Sequence, residues 1–150
     1  MKLLQESDSA KERASIDKAL LAVSGRCGAA CIPHLRPLTQ SSNNDLHMIG
    51  LHAMAIIGGF DALAAVTSAI ENAAPAVQDE AMRILSNWPS NWPQDTAAAE
   101  ALLTLARSDR KVSHKVLALR GYLQYVRGSN QLGAEQKLSL IHISEPTRPY

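Results

Sequence analysis

Aromatic residues are scarce: two Trp, three Tyr and one Phe in 150 residues. Hydrophobic residues still make up 46% of the chain, so its apolar content is mostly Ala and Leu with smaller shares of Ile and Val, a mix suited to close-packed helices. An excess of either charge is lacking too, with 15 basic residues against 14 acidic ones. That balance argues against a broad electrostatic footprint for nucleic acid or an anionic membrane. Cys27 and Cys31 are the only cysteines, too few for a disulfide framework. Nowhere does the chain run for roughly 18 apolar residues without a charge or a breaker, which predicts no membrane insertion and a soluble chain. The amino terminus, Met1 to Asp8, turns polar too early for the apolar stretch of a signal peptide, so no secretory address is expected and the compartment stays open. Catalytic signatures are absent as well: no metalloprotease helix motif, no phosphate-binding glycine loop ending in Gly-Lys-Ser or Gly-Lys-Thr, and no nucleophile elbow.

What is present is a repeated apolar template at i, i+4 and i+7, the buried stripe of an amphipathic helix. It occurs at Ile16, Leu20, Val23; at Ile49, Ala53, Ile56; at Val77, Ala81, Ile84; and at Val112, Val116, Leu119. The first residues of these sets are offset by 33, 28 and 35 positions, a spacing suited to a two-helix repeat. Second helices read Cys31, Leu35, Leu38; Leu63, Val66, Ile70; and Ala98, Leu102, Leu105. Turns are expected at Gly25 to Gly28, at Gly58-Gly59 and from Trp88-Pro89 through Trp92-Pro93. Ser41 to Asp45 offers several helix caps, and Pro75 is expected to stop one helix before Asp79 and Glu80 open the next. The reading is all-α: an α-solenoid of about four two-helix units near residues 10–40, 44–74, 76–108 and 111–137, together one domain over 1–137. A second helix of the last unit is expected after Gly128-Ser129-Asn130. Such units bury their apolar faces only by stacking on neighbours.

The most specific wording is Val77-Gln78-Asp79-Glu80-Ala81-Met82-Arg83-Ile84-Leu85-Ser86-Asn87-Trp88-Pro89, followed by Val116 to Leu123. It resembles bacterial HEAT-repeat proteins, armadillo-like in architecture, including the branch related to phycobilisome-lyase repeats. The resemblance covers roughly residues 10 to 137 and is weakest in the first unit. It implies a protein-binding scaffold, and function carries over by analogy only. From Leu138 to Tyr150 the sequence resembles the in-frame translation of a transposon-end sequencing adapter, as in a metagenomic fragment. On that reading residues 138–150 are an artefactual tail, set aside from fold reasoning, and the parent chain continues past Lys137.

Few residues invite a chemical role. Cys27, Cys31 and His34 carry zinc-type donors, yet a fourth ligand is missing nearby and Cys31 falls on an apolar stripe, so core packing is the expected role and no metal or cofactor is assigned. His47 and His52 lie about 140° apart around a helix and make a poor metal pair. Asp8, Ser15 and Glu80 have no base or oxyanion hole near them in sequence. Asp79, Arg83 and Arg120 are expected to bridge successive helix pairs. Trp88 and Trp92 sit in a Pro-rich turn, either as a lid on the core or as paired indoles at a binding rim.

The expectation for function is a non-catalytic scaffold that holds a protein or peptide along the inner row of helices. His34, Arg36, Glu71, Glu100, Arg107, Trp88 and Trp92 are the candidate contacts. The alternative is an accessory segment of a larger enzyme whose active site lies in other sequence. A HEAT-like DNA glycosylase is disfavoured, because it needs a basic, aromatic-bearing face.

Overall fold

A computed structural model of the chain describes residues 10–144, all of whose regular elements are helical. The expectations placed on Met1 to Asp8 and on the tail beyond residue 144 lie outside those residues. The elements are α1 (Ala10–Cys27), a 3-10 turn (Gly28–Cys31), α2 (Ile32–Thr39), α3 (Asn44–Ile57), α4 (Gly59–Asn72), α5 (Pro75–Asn91), α6 (Thr96–Arg107), α7 (Val112–Gly128) and α8 (Ala134–Ser144). They form two compact units, Met1–Ala81 and Met82–Tyr150.

Helix boundaries follow local chemistry. Asn43 caps α3, its side chain accepting from the backbone N–H of Asp45 at 3.0 Å and of Leu46 at 3.3 Å. Gly58 alone separates α3 from α4, and with φ of 71° there and 83° at Gly59 the backbone turns through a region that disfavours side chains. Pro75 opens α5 instead of ending the helix before it: its missing N–H is no loss at a first helical position, and Asp79 and Glu80 consequently lie beyond the first turn. Pro33 and Pro37 both fall in α2, which is only eight residues long.

Several expected turns move. Gly25 lies inside α1, and the chain turns at Gly28. α5 continues through Pro89 to Asn91, with the Trp92 N–H bonded to the Trp88 carbonyl at 2.9 Å, so the turn there spans residues 92–95. α8 begins at Ala134 and runs through Leu138 to Ser144, so part of the segment set aside as a tail is helical.

In the first unit α3 packs against α1, α2 and α4. Leu35 and Leu38 from α2, Leu51, Ala53 and Met54 from α3, and Ala62, Leu63, Val66, Ala69 and Ile70 from α4 are buried. In the second unit α7 packs on α6 and α8. Leu85 and Trp88, Ala98 and Leu102, and Ala118, Tyr122 and Val126 are buried there. One expected stripe is misplaced: Val112 and Val116 are 77% and 59% exposed, and α7 buries His114, Ala118, Gly121, Tyr122, Tyr125 and Val126. Val23 and Ile56 are exposed as well. An apolar i, i+4, i+7 set occurs on either side of a helix rich in Val and Leu, and on α7 the small residues Ala118 and Gly121 decide which side approaches a neighbour.

Each unit has one very close helix approach. A Cβ on Gly50 of α3 would stand 2.8 Å from Leu38 Cβ and 3.0 Å from the Thr39 nitrogen. A Cβ on Gly121 of α7 would stand 2.8 Å from the Ser86 carbonyl oxygen and 3.0 Å from Leu102 Cδ2. Gly121→Ala is therefore expected to lower stability by about 1–3 kcal/mol through overpacking, less the roughly 1 kcal/mol that Ala gains over Gly as a helix former. Urea unfolding reads the change, and a midpoint above that of the unaltered chain would contradict this packing.

Candidate functional site

The first unit carries an open groove of about 390 Å³, bounded by α2, α3 and α4. Its floor is the face of α4 bearing Ala64, Ala65, Ser68, Ala69 and Asn72, residues that recur every three or four positions and so share one side of the helix. Small side chains leave the groove open. Arg36, Thr39 and Gln40 form the α2 wall, and His47 and Met54 come from α3.

Polar groups line this groove with graded availability. The Thr39 hydroxyl is engaged, donating to the Arg36 carbonyl at 2.9 Å, and Asn72 Nδ2 donates to the Ser68 carbonyl at 3.3 Å. At one end Arg36 Nη2 stands 3.8 Å from Asp61 Oδ1, with both side chains more than half exposed. A pair so exposed contributes about 0–1 kcal/mol and is easily exchanged for another charged partner. His47 is half-buried, and burial lowers its pKa below the ordinary 6.5, so the neutral ring, one donor and one acceptor, is favoured at neutral pH. The groove thus combines an apolar floor with hydrogen-bonding and exchangeable charged groups on its walls.

Of the candidate partner contacts, Arg36 alone lines this groove. His34 and Glu71 are exposed residues of the same unit outside it, and Glu100 and Arg107 are exposed on α6. Arg107 lies close enough to the buried Tyr122 phenol to oppose, in part, the upward push that burial gives its pKa. Asp79 is half-buried, while Arg83 and Arg120 are exposed. His52 and Glu80 meet at 3.0 Å, joining α3 to α5 within the first unit, whereas His47 faces the groove. The sequence reading missed His47, Asp61, Ser68 and Asn72 as a set. The available signal is the helical spacing of the small residues Ala64, Ala65, Ser68 and Ala69 along α4.

Two candidates need correction. Cys27 and Cys31 are joined in a disulfide, Cys27 exposed and Cys31 half-buried, so they are neither free core cysteines nor thiolate ligands. The apolar face of α2 is formed by Ile32, Leu35 and Leu38 instead. Trp88 is no rim residue: it is 1% exposed, and its indole N–H donates to Asp95 Oδ2 at 2.9 Å. The other oxygen of Asp95 accepts the Ala98 N–H at 3.2 Å, capping α6. One carboxylate thus ties the end of α5 to the start of α6. Trp92 is half-buried.

Asp95→Ala removes a cap and leaves a buried indole N–H without its acceptor, a loss of about 2 kcal/mol or more. Asp95→Asn keeps an acceptor and should lose less. Thermal melting orders the three proteins, and an Ala variant as stable as the parent would sink this assignment. The lowered pKa of His47 gives a second expectation. As pH falls through 6.5, the unfolded chain takes up a proton at this ring while the folded chain resists, so stability declines on the acid side. His47→Gln should flatten that part of the profile, and parallel profiles for variant and parent would contradict it.

Comparison with family models, curated proteins and solved structures gives no match for the chain.

Proposed function

We propose that this chain is a HEAT-like helical-repeat module, an α-solenoid of about four two-helix units, that holds a protein or peptide segment and does no chemistry of its own. The observation that carries the reading is the groove between α2, α3 and α4, open, floored by alanines and walled by polar side chains. Its floor is α4 and one wall is α2, the helices that carry the inner-row candidates His34, Arg36 and Glu71. Support for the repeat itself comes from the succession of helices in pairs, each first helix followed by a second across a short connection.

An extended peptide suits this site. Its small side chains fit over Ala64, Ala65 and Ala69, its backbone groups can pair with Gln40 and Asn72, and an acidic or basic side chain can replace one member of the Arg36–Asp61 pair. Selection from a displayed library of random peptides tests the reading with the full chain as bait. Enriched peptides are expected to lose about tenfold or more in affinity when the exposed groove residue Ala64 is changed to Trp, a substitution that fills the floor at a site with room on its solvent side. Melting of Ala64→Trp close to the parent confirms that the loss is local. Failure to enrich any peptide, or equal binding by the variant, would overturn the proposal.

A further inference from the structure

We propose that the Cys27–Cys31 disulfide is a thiol–disulfide exchange site that reacts with small thiols of the glutathione type. The bond joins the last residue of α1 to the residue that precedes α2, and it spans only the intervening 3-10 turn. With a sequence separation of 4, it removes far less freedom from the unfolded chain than a bond closing a long loop. Its surroundings do not shield it: Ala29 and Ala30 are exposed, and nothing lies within 4 Å of the Cβ position of Gly28, whose φ is +62°. Disulfides that are exposed and lightly anchored are the readily exchanged ones.

The two sulfurs are not equivalent. Cys27 is exposed, while Cys31 is half-buried. Cys31 also holds the N-cap position of α2 and makes no side-chain capping bond. The Ile32 N–H is already donated to the Ala29 carbonyl and Pro33 has none, so exposure sets the direction: a small thiol reaches the Cys27 sulfur more readily, and attack there expels Cys31 as the leaving thiolate. The reaction runs in two steps. A thiolate RS⁻ attacks the Cys27 sulfur, the Cys27–Cys31 bond breaks, and the electron pair leaves on Cys31, which takes up a proton. A second RS⁻ attacks the R-bearing sulfur of the mixed disulfide, giving RSSR and the Cys27 thiolate, which is protonated in turn. Two electrons pass from two thiols to the protein, and the two protons those thiols shed end on the cysteines.

Two measurements on the unaltered chain test this. In the first, the protein is equilibrated with mixtures of reduced and oxidised glutathione and its thiols are counted by maleimide mass shift. Reduction at mixtures that glutathione can buffer, and re-formation of the bond in oxidised glutathione, are expected. A bond that survives reduced glutathione alone, or thiols that stay open in the oxidised form, would overturn the proposal. In the second, the reaction with limiting glutathione is quenched in acid and the mixed disulfide is located by peptide mapping. Glutathione is expected on Cys27, and its recovery on Cys31 or equally on both would overturn the assigned direction of attack.

Discussion

Close backbone approach at two glycines is the constraint on which the helix packing depends. Gly50 lets α3 lie against the end of α2, and Gly121 lets α7 lie against α5 at Ser86. At each position an added Cβ would meet backbone or Cβ atoms, which cannot rotate away as the far end of a long side chain can. Interiors are close-packed, so helix spacing set at one point propagates to the neighbouring side chains. The size of the core residues follows from this. Much of the buried core is Ala, at positions 53, 62, 69, 81, 98, 99 and 118, alongside larger groups such as Leu51, Leu102 and Trp88.

The groove uses the same small residues for the opposite purpose. On its buried side α4 presents Ala62, Leu63, Val66 and Ile70 to the core, while Ala64, Ala65 and Ser68 on the other side leave a channel that α2 and α3 do not fill. Polar groups of α2 and α3 stand at its walls, and burial lowers the pKa of His47 among them. A channel of this kind offers shape and hydrogen bonds before it offers charge, in keeping with a chain of almost balanced composition.

Helix type and approximate extent are legible in the sequence because periodic apolar residues, caps and breakers act locally. Asn43, Gly58 and Asp95 are examples in which one side chain, or its lack, sets a boundary. What escapes a single-sequence reading is which face of a helix finds a partner. On α7 the Val112 and Val116 stripe and the Ala118 and Gly121 stripe both satisfy a helical period, and tertiary approach at Gly121 selects the second. The turn at Trp88 is displaced for a related reason: a Trp-Pro pair signals a turn, yet Pro89 is accommodated in the last turns of α5, and the indole takes the core position, one of its two expected roles, with its N–H on Asp95. The groove was hidden because its lining joins residues from three helices, and only Arg36 among them drew notice for its charge. The disulfide was hidden because a pair of cysteines four residues apart is equally compatible with packing, with metal binding and with a covalent bond.

The dependence on close approach is tested most directly by nuclear Overhauser effects from the glycine Hα protons, one of which stands where a Cβ would be. Strong cross-peaks are expected from Gly50 to Leu38 and from Gly121 to the Leu102 methyl groups. If both glycines give Hα cross-peaks only to residues of their own helices, the backbones do not approach in this way, and the packing that shapes core and groove would have to be abandoned.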